Sequence, residues 1–360
     1  MNMLDFVAQM ADALGETRTA ALFGLATGAT FGVAAQRSRF CLRAATVEFA
    51  RGQMGPSVAV WLLTFSTALF WVQAAGLGGF LETDATRFLA QTGSWSGAIL
   101  GGLLFGVGMV LARGCSGRLL VLAATGNLRS VVSGLIFAVV AQMSLRGWLS
   151  PLRDTLAGLW TTSGGRNLNL IEWSGLPAWS GLGIGVALAA LAIYEARRNR
   201  LGARRLIFAS GVGFAVAMGY VLTYRLSQVS FDPVTITSAT FTGPSANTLM
   251  FFLSFDNVLN FDIGLIPGVF LGSFLASVVT REFAFQGFEG EANMRRAMTG
   301  SALMGFGGML AGGCAIGNGL TGGSVFAGTA WIALTAMWVG AIFTDFIVDQ
   351  RPMGVRATAG

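Results

Sequence analysis

Cysteine occurs three times in the 360-residue chain, and each time it closes a glycine-rich apolar stretch. Cys115 ends the run that starts at Gly101 (GGLLFGVGMVLARGC), and Cys314 ends the run that starts at Gly300 (GSALMGFGGMLAGGC). At an offset of 199 the two runs match at Gly101/Gly300, Leu104/Leu303, Gly106/Gly305, Gly108/Gly307, Leu111/Leu310, Ala112/Ala311, Gly114/Gly313 and Cys115/Cys314. They are an internal repeat. A fainter third copy places Cys41 nine residues after Gly32, the gap that also separates Gly106 from Cys115 and Gly305 from Cys314. A thiol offers a soft, polarisable sulfur and a weak S–H donor.

Two of the cysteines open short apolar segments, Cys115-Ser116-Gly117-Arg118 and Cys314-Ala315-Ile316-Gly317-Asn318. The first turn of such a segment presents unpaired N–H groups and partial positive charge, which favour an anion. Cys41, Cys115 and Cys314 are therefore the candidate relay residues for a small sulfur-bearing anion. Gly114, Ser116 and Gly117, with Gly313, Ala315, Ile316, Gly317 and Asn318, are the candidate binding residues around them. Arg39 and Arg113, each two residues before a cysteine, can add fixed positive charge, and arginine at membrane depth is costly enough to be functional.

The elements that hold these residues must lie in a bilayer. The chain is 54% hydrophobic and 11% charged, with a mean hydropathy of +0.66; a soluble domain carries roughly twice that charge. The fold class is an all-α integral membrane protein, a single membrane domain over residues 1–360. There is no histidine, which excludes a histidine-based catalytic or metal site, and the net charge of +6 does not call for nucleic acid. No cofactor is implied, and with three cysteines the reading is free thiols.

Apolar windows predict about nine transmembrane helices, at 19–36, 56–78, 94–113, 128–147, 176–195, 205–222, 262–280, 297–313 and 326–348. Residues 1–18 read as an amphipathic interfacial helix rather than a signal peptide. The segments 116–126 and 315–325 are too short to cross and read as re-entrant half-helices; 247–255 reads as a partial helix on the outer side. Arginines follow the first span (Arg37, Arg39, Arg43, Arg51), the fifth (Arg197, Arg198, Arg200, Arg204, Arg205), the seventh (Arg281, Arg295, Arg296) and the ninth (Arg351, Arg356). The positive-inside rule then puts the N-terminus outside and the C-terminus inside. Most of these arginines read as cytoplasmic anchors, and Asp345 and Asp349 as interfacial. The repeats would run in opposite directions, so that 19–195 and 205–348 form an inverted, pseudo-two-fold pair around a central site.

The strings Gln36-Arg37-Ser38-Arg39-Phe40-Cys41, Ala112-Arg113-Gly114-Cys115-Ser116-Gly117 and Ala311-Gly312-Gly313-Cys314-Ala315-Ile316-Gly317 resemble the signature segments of the YeeE/YedE family of bacterial inner-membrane sulfur-transport proteins. The resemblance extends over nearly the whole chain. It implies thiosulfate uptake into the cytoplasm, with the three cysteines passing the anion inward through S–H···S hydrogen bonds. It also implies a separate TusA-like sulfur-carrier protein as cytoplasmic partner. Two other functions share these residues. A soft-metal transporter for Cu(I), or a selenium-compound transporter, would use the same sulfur chemistry, although a CxxC pair is absent. A membrane sulfurtransferase would hold sulfane sulfur as a persulfide. The favoured reading is a transporter and not an enzyme.

Overall fold

The computed structural model describes residues 3–255, 258–288 and 290–350. Arg351 and Arg356, used above for orientation, lie outside the described residues. In chain order the helices are α1 Met3–Leu14, α2 Glu16–Ser38, α3 Leu42–Ala50, α4 Pro56–Leu77, α5 Arg87–Ala90, α6 Trp95–Leu111, α7 Ser116–Ala124 and α8 Leu128–Arg146. There follow α9 Ser150–Gly158, α10 Leu170–Trp173, α11 Ser180–Arg198, α12 Ala203–Val229, α13 Thr242–Leu253, α14 Phe261–Val279, α15 Glu291–Leu310 and α16 Gly328–Thr344. Between α15 and α16 lies a π-helical turn, Gly317–Gly322.

This is an all-α, multi-pass membrane protein. Among the described residues, seven helical stretches are long and apolar enough to cross a bilayer, with α6 and α7 forming one stretch and α16 running on to Asp349. Two further expected spans, α2 and α15, are helices of 23 and 20 residues with a lower mean hydropathy. The expected interfacial helix is α1, and the expected partial helix is α13. Caps start several of the long helices: the side chains of Ser94, Asn127 and Asn260 accept from the backbone N–H groups of Gly97, Ser130 and Ile263.

Glycine sets how closely the helices approach. On α2, a Cβ at Gly24, Gly28 or Gly32 would fall 2.0, 2.2 and 2.3 Å from the carbonyl oxygens of Phe261, Leu265 and Val269 on α14. From the other side, Gly264, Gly268 and Gly272 meet the carbonyls of Ala21, Leu25 and Ala29. The two backbones therefore touch along a parallel seam with no room for a methyl group.

The repeat packs differently. Gly101 abuts Gly307 and Ala311, whereas Gly108 abuts Gly300 and Met304, so α6 and α15 run antiparallel. Exchanging the two copies maps the first set of contacts onto the second, which is the signature of a two-fold axis between them. The neighbours obey the same exchange: Gly106 abuts Met337 and Ala341 on α16, and Gly305 abuts Phe137 and Val140 on α8.

The arginine-bearing segments gather on one face. Arg39 pairs with Glu282 at 3.7 Å, Arg205 donates to the Ser38 carbonyl at 2.9 Å, and Asp349 lies between Arg43 and Arg296 at 3.4 and 2.9 Å. Asp345, read as interfacial from sequence, is fully buried and is held by two hydrogen bonds from Arg51, at 2.9 and 3.2 Å. A buried carboxylate needs such a partner. Arg51 thus ties α3 to the end of α16 rather than serving only as an anchor.

Candidate functional site

Each cysteine sits at the start of a short helix. Cys41 is the N-cap of α3 and Cys115 that of α7, while Cys314 immediately precedes the helical segment 315–324. The helix after Cys41 is the one the sequence did not reveal, because Arg43 and Glu48 interrupt its apolar run. Cys115 and Cys314 are buried and Cys41 is half-buried; all three are free thiols.

The sulfurs of Cys115 and Cys314 have matching surroundings. Cys115 is approached by the backbone N–H groups of Leu42 and Arg118. Cys314 Sγ receives those of Phe241 and Gly317, each over 3.3 Å. Leu42 and Phe241, like Arg118 and Gly317, are 199 residues apart, the offset of the repeat itself. The side chains of Cys41 and Cys115 are neighbours, so the fold brings two of the three predicted relay residues together.

Around this pair lie polar groups in want of a ligand. Ser116 Oγ and Arg118 Nη1 are buried without a hydrogen-bond partner among the described residues. Buried polar atoms are nearly always paired, so two orphans beside two thiols mark a place where an anion fits. The charge of Arg118 reaches both Cys41 and Arg205. Arg39 and Arg113, the arginines singled out from sequence, are placed elsewhere: both are exposed, in the left-handed conformation that ends α2 and the turn after α6 (φ +56° and +55°). At the position equivalent to Arg113 the second copy has Gly312, with φ +74°.

An apolar plug separates the two sulfur stations. The missing Cβ of Gly117 would lie 2.3 Å from Ile316 Cδ1 and 3.1 Å from the Phe241 ring. Phe241 in turn packs edge-on against Phe31, with ring centroids 5.1 Å apart. Gly117 and Ile316 are again 199 residues apart, so their contact lies on the pseudo-two-fold axis.

On the Cys314 side a cavity of about 690 Å³ opens, lined by residues that include Arg87, Arg153, Asp262 and Gly313. Arg153 is paired with Asp154, and Asp262 accepts from Asn247 at 2.9 Å. Arg87 instead donates to the Gly312 carbonyl at 2.8 Å, on the turn that leads into Cys314. It brings positive charge close to Cys314, although the short helix α5 that it opens carries no motif.

The remaining predicted residues shape the turns. Gly114 and Gly313 precede their cysteines, and Ala315 is buried beside Cys314. Asn318 is buried, and its side-chain N–H donates to the Gly313 carbonyl at 2.6 Å, locking the turn that carries Cys314. The segment 315–324, which contains the π turn, holds one residue more than α7: Leu128 comes 13 residues after Cys115, and Gly328 comes 14 after Cys314. Its carbonyl at Thr321 is taken by the Tyr220 hydroxyl at 3.0 Å, and that of Ser324 just beyond by the Gln73 amide at 2.7 Å.

These features define an all-helical, multi-pass membrane protein that buries thiols on either side of the Gly117/Ile316 contact. Residues 37–343 match the family described as sulphur transport, and the chain belongs to it. It is 28% identical over 341 residues to the thiosulfate transporter TsuA of Escherichia coli (strain K12), an alignment that covers 92% of this chain and 95% of the relative. To the thiosulfate transporter TsuA of Spirochaeta thermophila it is 27% identical over 345 residues, covering 91% and 99%.

Proposed function

We propose that this protein carries thiosulfate across the bacterial inner membrane into the cytoplasm, with Cys314, Cys115 and Cys41 as successive stations. The observation that carries this reading is the matched pair of sulfurs, each approached by two backbone N–H groups and set on either side of the Gly117/Ile316 contact. Arg87 draws the dianion into the cavity, and the terminal sulfur of thiosulfate meets the Cys314 thiol. Beyond the plug, Cys115 and Cys41 take over, and Arg118 and Arg205 lead the anion out. Gly114, Ser116, Gly117, Gly313, Ala315, Ile316, Gly317 and Asn318 form the walls of the two stations. Arg39 and Arg113 act from the surface, as long-range attraction.

In this reading the face with Arg39, Arg43, Arg51 and Arg205 is cytoplasmic, the chain crosses nine times with its N-terminus outside, and residues 19–195 and 205–348 are the inverted halves. A TusA-like carrier protein docks on that cytoplasmic face.

The test is uptake of sulfur-labelled thiosulfate into proteoliposomes. Alanine at Cys41, Cys115 or Cys314 should each lower uptake at least tenfold without loss of folded protein, because removing one small sulfur costs little packing but interrupts the relay. Sulfate matches thiosulfate in charge yet lacks the soft sulfur, so it should compete poorly even in large excess. Normal transport by all three variants, or equal inhibition by sulfate, would overturn the relay.

A further inference from the structure

Cys41 has no cysteine counterpart in the second half, and the repeat says what stands in its place. The offset of 199 that maps Cys115 onto Cys314 maps Cys41 onto Thr240. The geometry follows the same mapping. The Cys41 side chain neighbours that of Cys115, and Thr240 Oγ1 lies 4.0 Å from Cys314 Sγ, within contact range of sulfur. We propose that Thr240 is a fourth station of the transport path, a hydroxyl that binds the oxygen end of the anion while Cys314 meets its terminal sulfur. This rests on the thiosulfate reading above.

The surroundings of Thr240 support a ligand rather than mere packing. Thr240 and Thr242 are 1% exposed and Thr237 is 7% exposed, and all three line the cavity on the Cys314 side. The hydroxyl oxygens of Thr237 and Thr242 have no hydrogen-bond partner among the described residues. A run of buried hydroxyls, two of them unpaired, facing a cavity that reaches Gly313 beside Cys314, fits an anion with several acceptor oxygens. Thiosulfate presents three oxygens and one soft sulfur, and the side chains divide in the same way.

The change from thiol to hydroxyl also has a chemical reason. Two adjacent thiols on the cavity side would be open to oxidation to a disulfide, which forms and persists outside the cytoplasm. A hydroxyl keeps the hydrogen-bonding capacity and cannot form that bond. The thiol pair is confined to the side of Cys41 and Cys115.

The experiment compares Thr240→Val, Thr240→Ser and Thr240→Cys in proteoliposomes, with Cys314→Ala as reference. Loss of one hydrogen bond to the anion in Thr240→Val should lower labelled thiosulfate uptake by about tenfold, whereas Thr240→Ser should stay within about twofold of wild type. Thr240→Cys should transport under reducing conditions and stop after treatment with diamide, which takes up the two thiol hydrogens as the introduced cysteine bonds to Cys314. Peptide mass should show that link, and reductant should restore uptake. If Thr240→Val transports like wild type while Cys314→Ala is dead, the fourth station falls and the cysteine relay stands. If Cys314→Ala also transports normally, the fourth station and the Cys314 station both fall. Should Thr240→Val fail to fold, Thr240→Cys decides: uptake that is insensitive to diamide overturns the proposal.

Discussion

Gly117 and Ile316 occupy equivalent positions of the two halves and touch each other, glycine against the Cδ1 methyl, where a Cβ at 117 would come within 2.3 Å. One side supplies the bulk and the other the space. A Leu at Gly117 should therefore block the path, with labelled uptake reduced at least tenfold. The double variant Gly117→Ile with Ile316→Gly exchanges the two across the axis and should recover a substantial part of the flux. A double variant no better than Gly117→Leu would show that the contact is not the barrier.

Arg118 carries a different expectation from Arg113. Its buried Nη1 has no partner among the described residues and its charge reaches Cys41, so Arg118→Gln should raise the apparent KM for thiosulfate about tenfold, the worth of a hydrogen bond to a charged group. Arg113 is exposed, and solvent and salt screen it. Arg113→Gln should change the KM by no more than about threefold at physiological salt. Uptake kinetics at two ionic strengths separate the two.

The Arg51–Asp345 pair should matter for stability, and unequally. Asp345 is fully buried, whereas the Arg51 side chain is 38% exposed and can rehydrate if left alone. Arg51→Met removes the two hydrogen bonds that Arg51 gives to the buried carboxylate and should cost on the order of 3 kcal/mol, with Asp345→Asn costing less. Thermal unfolding of the detergent-purified variants gives the ranking, and the reverse order would contradict the burial argument.

The α2/α14 seam should tolerate nothing larger than hydrogen. Gly264→Leu puts Cβ within 1.8 Å of the Ala21 carbonyl oxygen and should abolish recovery of monodisperse protein. Gly134 on α8 has open space around it. Gly134→Ala is the control, and its stability should stay within about 1 kcal/mol of wild type.

Much of this architecture is legible in the sequence because the bilayer writes in apolar length. The long helices fall where the apolar windows do, and the matched glycines around Cys115 and Cys314 mark the antiparallel pair before any coordinates. What the sequence hides is set by contact across the fold. The helix after Cys41 carries Arg43 and Glu48, charges that only their partners on other segments make tolerable. Arg118 and Arg113 look alike in the motif, yet one lies inside and the other outside, because Arg113 is itself the left-handed residue at which the chain turns toward Cys115. Thr240 escapes notice because the repeat keeps the position and changes the residue type.

The helices of one half are laced through those of the other: α2 is locked onto α14, and α6 lies against both α15 and α16. A transporter that alternates by rocking one half over the other must slide helices past each other, over microseconds to milliseconds. Along the α2/α14 seam the backbones are in contact and any slip drives Cα atoms into carbonyl oxygens. Slip along this seam is therefore costly. The groups at the centre are smaller, the Ile316 and Phe241 side chains, whose rotamer changes are faster than any helix slide. The protein thus works as a frame of fixed girders with a narrow turnstile at its centre, and its turnover should be set by the grip of each station on the passing ion rather than by the frame.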